Sequence, residues 1–291
     1  MTPVGKLCSR ILPFVATALL AGLLAGCSHS STLQQIKQRG YARIAVANEI
    51  PYGYMDAQGN AHGFGPDIAR RVLHRMGIDH IQWTVTGFGS LIPALKAGRV
   101  DLVAASQAVL PQRCQQVSFS IPNTSYGEGL MVKKGNPQGI HSYEDFVKNP
   151  GLKMGIVSGA DQLDFAHAVG IPDKQLVMLQ ANTDAVSAVA TGRVDAYAAT
   201  FLTVERLAAK SPRVEAAQPF HDPVVNGKPV RSWGAFTFRK GDGAFRKAFD
   251  KQLAAVQKTP FWRRTLKHYG LDDHSIDLVH SKTTAQLCAG K

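Results

Sequence analysis

Apolar and polar positions along this chain switch repeatedly between a strand-like and a helix-like period. Tyr41–Ala47 alternates and reads as a strand, and His80–Val85 reads as the next one. Between them, Ile68, Val72, Leu73 and Met76 recur at helical spacing, behind a Pro66 well placed for a helix start. A lead helix, Thr32–Arg39, precedes them and stops at Gly40, and Asp56–Asn60 with Gly59 has the chemistry of a hairpin turn. A second series then follows the same order. Lys153–Val157 is a strand, Ser158-Gly159 a turn, Asp161–Val169 a helix and Gln175–Leu179 a strand, after which Asn182 can cap a further helix. Alternation of this kind predicts an α/β protein whose sheets are mostly parallel.

Each series closes on the same phrase. Ile92–Ser106 (IPALKAGRVDLVAAS) aligns without a gap on Val186–Thr200 (VSAVATGRVDAYAAT), sharing Gly-Arg-Val-Asp at Gly98–Asp101 and Gly192–Asp195. Each copy is a helical pattern, a glycine where a helix C-cap belongs, and a short apolar strand. Two copies are too few for a solenoid and suit two similar lobes facing each other. Between the series lies Ser118–Lys134 with the strand-like Gly129–Lys133. After them come a turn-rich His221–Trp233, a strand at Gly234–Arg239 and amphipathic helices at Phe245–Val256 and Phe261–His268. Two crossings between the lobes imply that these last helices return to cover the first. The expected division is residues 33–125 with 230–291 for lobe one and 126–229 for lobe two, with hinges near Ser125–Gly129 and Val230–Ala235.

The first 26 residues stand apart from this pattern. Lys6 and Arg10 precede an apolar run, Ile11–Leu24, which is short for a membrane span and ends at Leu24-Ala25-Gly26-Cys27. That is a secretory leader. Its end resembles a bacterial lipobox, which makes Cys27 the lipidated first residue of the mature chain and 27–32 a tether; the plainer alternative is a leader with an incidental cysteine. The net charge of +12 could suggest nucleic acid, but the basic residues are scattered, lack aromatic interleaving and belong to an exported protein. Of four cysteines, Cys114 and Cys288 remain after Cys8 and Cys27 are set aside, and a disulfide between them is one option in an oxidising compartment. Neither zinc-type spacing nor clustered histidines support a metal site, and no cofactor motif is present: Gly63-Phe64-Gly65 lacks the third glycine of a dinucleotide loop.

Ligands of open α/β sheets sit beyond the carboxyl ends of the strands. At that edge the first series offers Glu49, Tyr52, Phe88, Ser106 and Arg113; the second offers Ser158, Gly159, Asp161, Asn182 and Thr200. An arginine matches a carboxylate with two prongs, and aromatic faces hold a cation or a flat ring. Taken singly, Arg113 also fits a surface loop, Tyr52 and Phe88 fit a core, and Ser106 and Thr200 fit strand-end caps.

The run Pro93-Ala94-Leu95, Gly98 and Asp101, followed by Pro111-x-Arg113 and Phe119-Ser120-x-Pro122, resembles the polar amino-acid family of periplasmic solute-binding proteins, the receptors of ABC importers. Within it, Ala47–Tyr54, Phe88–Pro93, Arg113-Cys114 and Val132–Pro137 are similar to ectoine and hydroxyectoine receptors. The resemblance implies a two-lobed periplasmic-binding-protein fold of type II, a permease as partner, a lipid-anchored monomer in the periplasm or cell envelope, and no catalysis. It further implies that Glu49 meets a ring cation between Tyr52 and Phe88, while Arg113 clamps a carboxylate with help from the Ser106 backbone. Three positions depart from the pattern: Thr200 where amino-acid receptors carry Asp, Ala108 where ectoine receptors carry an aromatic wall, and Asp161 where the family carries Thr. The ligand expected is a small zwitterionic or cationic solute. The alternative is an enzyme of the cyclohexadienyl-dehydratase type, which shares the fold and would use Glu49 and Asp161 as its acid–base pair.

Overall fold

The computed structural model describes residues 30–291; the leader and lipidated Cys27 expected from the sequence lie outside the described residues. Among the described residues the chain builds two large sheets and two small two-stranded hairpins, Tyr54–Met55 with Ala61–His62 and Val224–Val225 with Lys228–Pro229. The first large sheet contains β1 (Tyr41–Val46), β2 (His80–Val85), β3 (Leu102–Ala108), β4 (Val117–Phe119) and β5 (Thr124–Tyr126). The second contains β6 (Glu128–Lys133), β7 (Met154–Val157), β8 (Leu176–Leu179), β9 (Ala196–Thr200) and β10 (Val214–Ala216), and β11 (Ser232–Arg239) then rejoins the first. The strand orders are β2-β1-β3-β11-β4, with β5 also on β11, and β8-β7-β9-β6-β10.

The sheets are mixed, where a mostly parallel arrangement was expected. Strands β2, β1 and β3 pair in parallel, as do β8, β7 and β9. The strand that arrives from the other sheet runs the opposite way in each: β11 against β3 and β6 against β9. Gly127 alone separates β5 from β6, so the chain leaves one sheet and enters the next within a single residue.

Both sheets are buried on two faces. In β1, Ala42, Ile44 and Val46 join one core cluster, while Ala45 belongs to another on the opposite face. In β6 and β9 the same alternation sends Leu130, Val132, Ala196 and Ala198 one way and Met131, Tyr197 and Ala199 the other. Helix α1 (Thr32–Arg39) opens on a capping box from Ser31 and ends at Gly40 in the left-handed conformation. Helix α2 (Phe64–His74) buries Ile68, Val72 and Leu73 under the first sheet, and α3 (Leu91–Lys96) buries Leu91 and Leu95. Pro111–Gln116, expected as a loop, is a short helix, α4, with proline in its first turn. On the second sheet lie α5 (Glu144–Lys148), α6 (Gln162–Ala168), α7 (Thr183–Ala190) and α8 (Phe201–Ala208). Sequence reading missed α8 because Thr200 is at once the last residue of β9 and the N-cap of the helix, leaving no glycine or proline between them. Helices α9 (Gly243–Gln257) and α10 (Pro260–His268) pack on the first sheet, where Phe245, Phe249, Leu253 and Trp262 share a core with Ile44 and Ile68. The chain ends with α11 (Asp273–Leu278) and α12 (Thr284–Cys288), and a disulfide from Cys288 to Cys114 ties α12 to α4.

The repeated Gly-Arg-Val-Asp does one job twice. Gly98 and Gly192 both take positive φ at the helix exit, +70° and +75°. The Asp101 N–H donates to the Arg43 carbonyl and its carboxylate accepts the Arg43 N–H, both at 2.8 Å. Asp195 repeats that exchange with Lys153, again at 2.8 Å each way. Each aspartate therefore sets the register between its strand and the parallel neighbour.

Candidate functional site

Between the sheets lies a small cavity whose walls come from both sides. The first side contributes Glu49, Tyr52, Phe88, Ser106 and Tyr126; the second contributes Asp161, Gln162, Asn182, Tyr197 and Thr200. Six of the eight residues expected at a ligand site meet here: Glu49, Tyr52, Phe88, Ser106, Asp161 and Thr200. Arg113 and Ser158 do not line the wall. Ser158 follows β7, and its carbonyl packs so closely on Gly89 that a Cβ there would stand 2.9 Å away.

Arg113 is buried, and its guanidinium spans the cleft. Nη1 donates to the Ala108 carbonyl at 3.0 Å and Nη2 to the Gly159 carbonyl at 2.8 Å, with the Phe88 ring centroid 5.5 Å from the guanidinium carbon. Phe88 packs on core clusters of both sheets, so this stack sits at their junction.

Ser106 interrupts β3 with φ +47°, a conformation sparsely used outside glycine and recurrent at binding sites. The neighbouring strand accommodates the turn at Gly234, where a Cβ would lie 2.5 Å from the Ser106 carbonyl. That carbonyl accepts the Tyr126 hydroxyl at 3.0 Å. Tyr126 in turn meets Tyr52 edge-on, with centroids 5.2 Å apart. Tyr52 is thus a core residue and a cavity wall together, since it also packs edge-on against Phe64 at 5.4 Å. Its hydroxyl is buried without a partner.

The charges are acidic. Glu49 accepts the Thr203 hydroxyl at 2.8 Å from across the cleft, and Thr203 is positioned by Thr200, the α8 cap. Burial pushes the Glu49 carboxyl up to about 7; the Thr203 hydrogen bond opposes this and the charge of Asp161 adds to it. Asp161 precedes α6 but does not cap it; its carboxylate accepts the Ser232 hydroxyl of β11 at 2.8 Å. Asn182 likewise does not cap α7, because its side-chain oxygen accepts the Tyr197 hydroxyl. Behind Gln162 lies Glu128, buried, with one oxygen taking the Gln162 amide at 2.6 Å and the other unpartnered. Burial and the nearby Asp161 raise the Glu128 carboxyl well above its usual range.

Tyr126, Gln162 and Tyr197 were not singled out from the sequence. Tyr126 lies inside the expected hinge, and Gln162 directly follows Asp161, which were the available signals. Among the described residues no group of His, Cys, Asp and Glu could hold a metal, and no helix is long and apolar enough to cross a membrane.

Residues 42–272 match the family described as bacterial extracellular solute-binding proteins, family 3. The probable amino-acid ABC transporter periplasmic-binding protein y4tE of Sinorhizobium fredii is 47% identical over 289 residues, covering 99% of this chain and 94% of that protein. The lysine/arginine/ornithine-binding periplasmic protein of Escherichia coli is 27% identical over 259 residues, covering 88% of this chain and 95% of that one. Among solved structures, EhuB in complex with hydroxyectoine superposes with a TM-score of 0.81 at 33% identity, covering 89% of this chain and 98% of that one. An ancestral amino-acid-binding protein that preceded cyclohexadienyl dehydratase shares the fold, with a TM-score of 0.71 at 24% identity over 82% of this chain and 99% of that one. With a cavity enclosed from two sheets and a match across most of its length, the chain belongs to the bacterial extracellular solute-binding proteins of family 3 and is a solute-binding receptor.

Proposed function

We propose that this receptor serves an ABC uptake transporter, closing its two lobes on a small solute that carries positive charge and delivering it to a permease. The lobes are residues 33–125 with 230–291 and residues 126–229, and the hinges are Ser125–Gly129 and Val230–Ala235. A cavity walled from both sheets and bearing carboxylates on each side carries this reading. A ligand touching both walls favours the closed state through contacts that an open cleft cannot make. Glu49, Tyr52 and Phe88 would receive the cationic part, with Ser106, Asp161 and Thr200 completing the contact. Arg113 and Ser158 would act at the rim. The amino-acid and hydroxyectoine receptors among the relatives support a zwitterionic or cationic solute. Their names as binding proteins support binding without turnover. The leader's Leu24-Ala25-Gly26-Cys27 supports a lipid anchor on Cys27, holding a monomer at the membrane surface.

A thermal-shift screen of ectoines, amino acids, betaines and amines tests the reading. A cognate ligand at about 100 times its Kd stabilises the protein by about 2.7 kcal/mol. A screen in which no such solute moves the midpoint, or in which prephenate is consumed, contradicts it.

A further inference from the structure

Basic residues that are scattered along the chain are gathered by the fold into one layer. Helix α9 packs against α1, α2 and α10 over the first sheet. On its exposed face Lys247, Lys251 and Lys258 follow at spacings of four and seven residues, which places them on one side of the helix over about 17 Å. Ala244, Ala248 and Ala255 lie beside them, while Asp250, the acid within α9, accepts the Ile121 N–H and pairs with Arg246. Neighbouring helices extend the positive field. Arg75, at the end of α2, donates to the Gln252 side chain of α9 at 2.9 Å, and Arg71 lies over the Phe261 ring of α10, 4.6 Å from its centroid. Arg264 of α10 is exposed beside them. The acids of this layer are committed to other cations: Asp67 to Arg70, Asp79 to His74, Asp242 to Arg239, and Asp273 of α11 to Arg263 and Lys267.

The same layer is where the chain arrives from its leader. Thr32, the first residue of α1, donates its hydroxyl to Asp242 at 2.6 Å, and Asp242 is the N-cap of α9. Cys27 stands five residues before Thr32, a stretch whose contour is at most about 18 Å. An anchor on Cys27 therefore holds a bilayer within that reach of the start of α9, little more than one turn from Lys247. Anionic headgroups attract lysines and arginines held close to a bilayer, and an acyl anchor joined to a polybasic patch supplies two signals that act together.

We propose that the α9 face of the first lobe, Lys247, Lys251 and Lys258 with the flanking Arg71, Arg75 and Arg264, docks on the surface of an anionic lipid bilayer. The receptor then keeps one fixed side toward the membrane instead of swinging freely on its tether. The tether in this argument rests on the lipidated Cys27 proposed above; the basic face does not.

Co-sedimentation of the mature chain, prepared without lipid, with phosphatidylcholine vesicles and with mixed phosphatidylcholine/phosphatidylglycerol vesicles reads the face apart from the anchor. Partition onto the anionic vesicles should be about ten-fold stronger or more. It should collapse at about 1 M salt, where the screening length is about 3 Å. Reversing the stripe, Lys247→Glu with Lys251→Glu and Lys258→Glu, should lower that partition about ten-fold or more. The same reversal at Lys174 and Lys210, exposed on the second lobe, should leave it unchanged. If the reversed chain unfolds, Lys→Gln at the three α9 positions takes its place. Equal partition onto both kinds of vesicle overturns the proposal, and so does an anionic preference that survives loss of the stripe. Failure of the anchor reads differently, because Cys27 then carries no lipid by mass whatever the vesicles show.

Discussion

At the scale of single residues, Glu49 holds the clearest consequence. Its carboxyl is pushed up to about 7 by burial, opposed by the Thr203 hydroxyl and reinforced by Asp161. Because the folded protein holds this proton more tightly than the unfolded chain, its contribution to ligand-free stability is complete below the ordinary glutamate range and is lost as pH rises towards 7. A cation that pairs with the carboxylate must displace the proton. Its affinity should therefore rise by up to about tenfold per unit as pH increases towards 7, then level off. Titration calorimetry between mildly acidic and mildly basic pH checks this, and Glu49→Gln should flatten the profile; a slope surviving in that variant would assign the effect to Glu128. The sequence exposed Glu49 as a candidate because a carboxylate followed by aromatics at a strand's end is an unusual loop. It could not expose Glu128 or Gln162, whose relation to the cavity exists only once β6 and α6 are brought together.

At the scale of elements, the repeated Asp101 and Asp195 make the same backbone exchange in different surroundings. Asp101 is fully buried and also pairs with Arg39 and Arg43, whereas Asp195 is only partly buried. Asp101→Ala should cost about 2–3 kcal/mol and Asp195→Ala about 1 kcal/mol in chemical denaturation; equal losses would mean that the arginines contribute nothing. The repeat itself was legible because helical and strand periods are local properties. The mixed direction of the sheets was not, since β6 and β11 look like ordinary apolar strands until their partners are known. Short helices without a full period, such as α4, were also invisible, and with α4 the reach of Arg113 to Gly159.

For the whole molecule, function turns on how the two sheets close over the cavity, and Gly89 lies at a close approach between them. A Cβ there would stand 2.9 Å from the Ser158 carbonyl, a backbone atom that cannot swing away. Gly89→Ala should obstruct closure and weaken ligand affinity about ten-fold while leaving ligand-free stability nearly unchanged. Calorimetry with parallel thermal unfolding separates those effects, and an unaltered affinity would remove this contact from the closure path. By itself the sequence determined an α/β chain in two similar halves with a returning C-terminal cover, because periodicity and caps act within one element at a time. Which carboxylates share a cavity, and that Arg113 bridges two backbone carbonyls across the cleft, was decided only by the tertiary structure. The reason is physical: charge and hydrogen bonding act through space, and residues such as Glu49, Asp161 and Ser232 become neighbours only when strands from both halves are folded together.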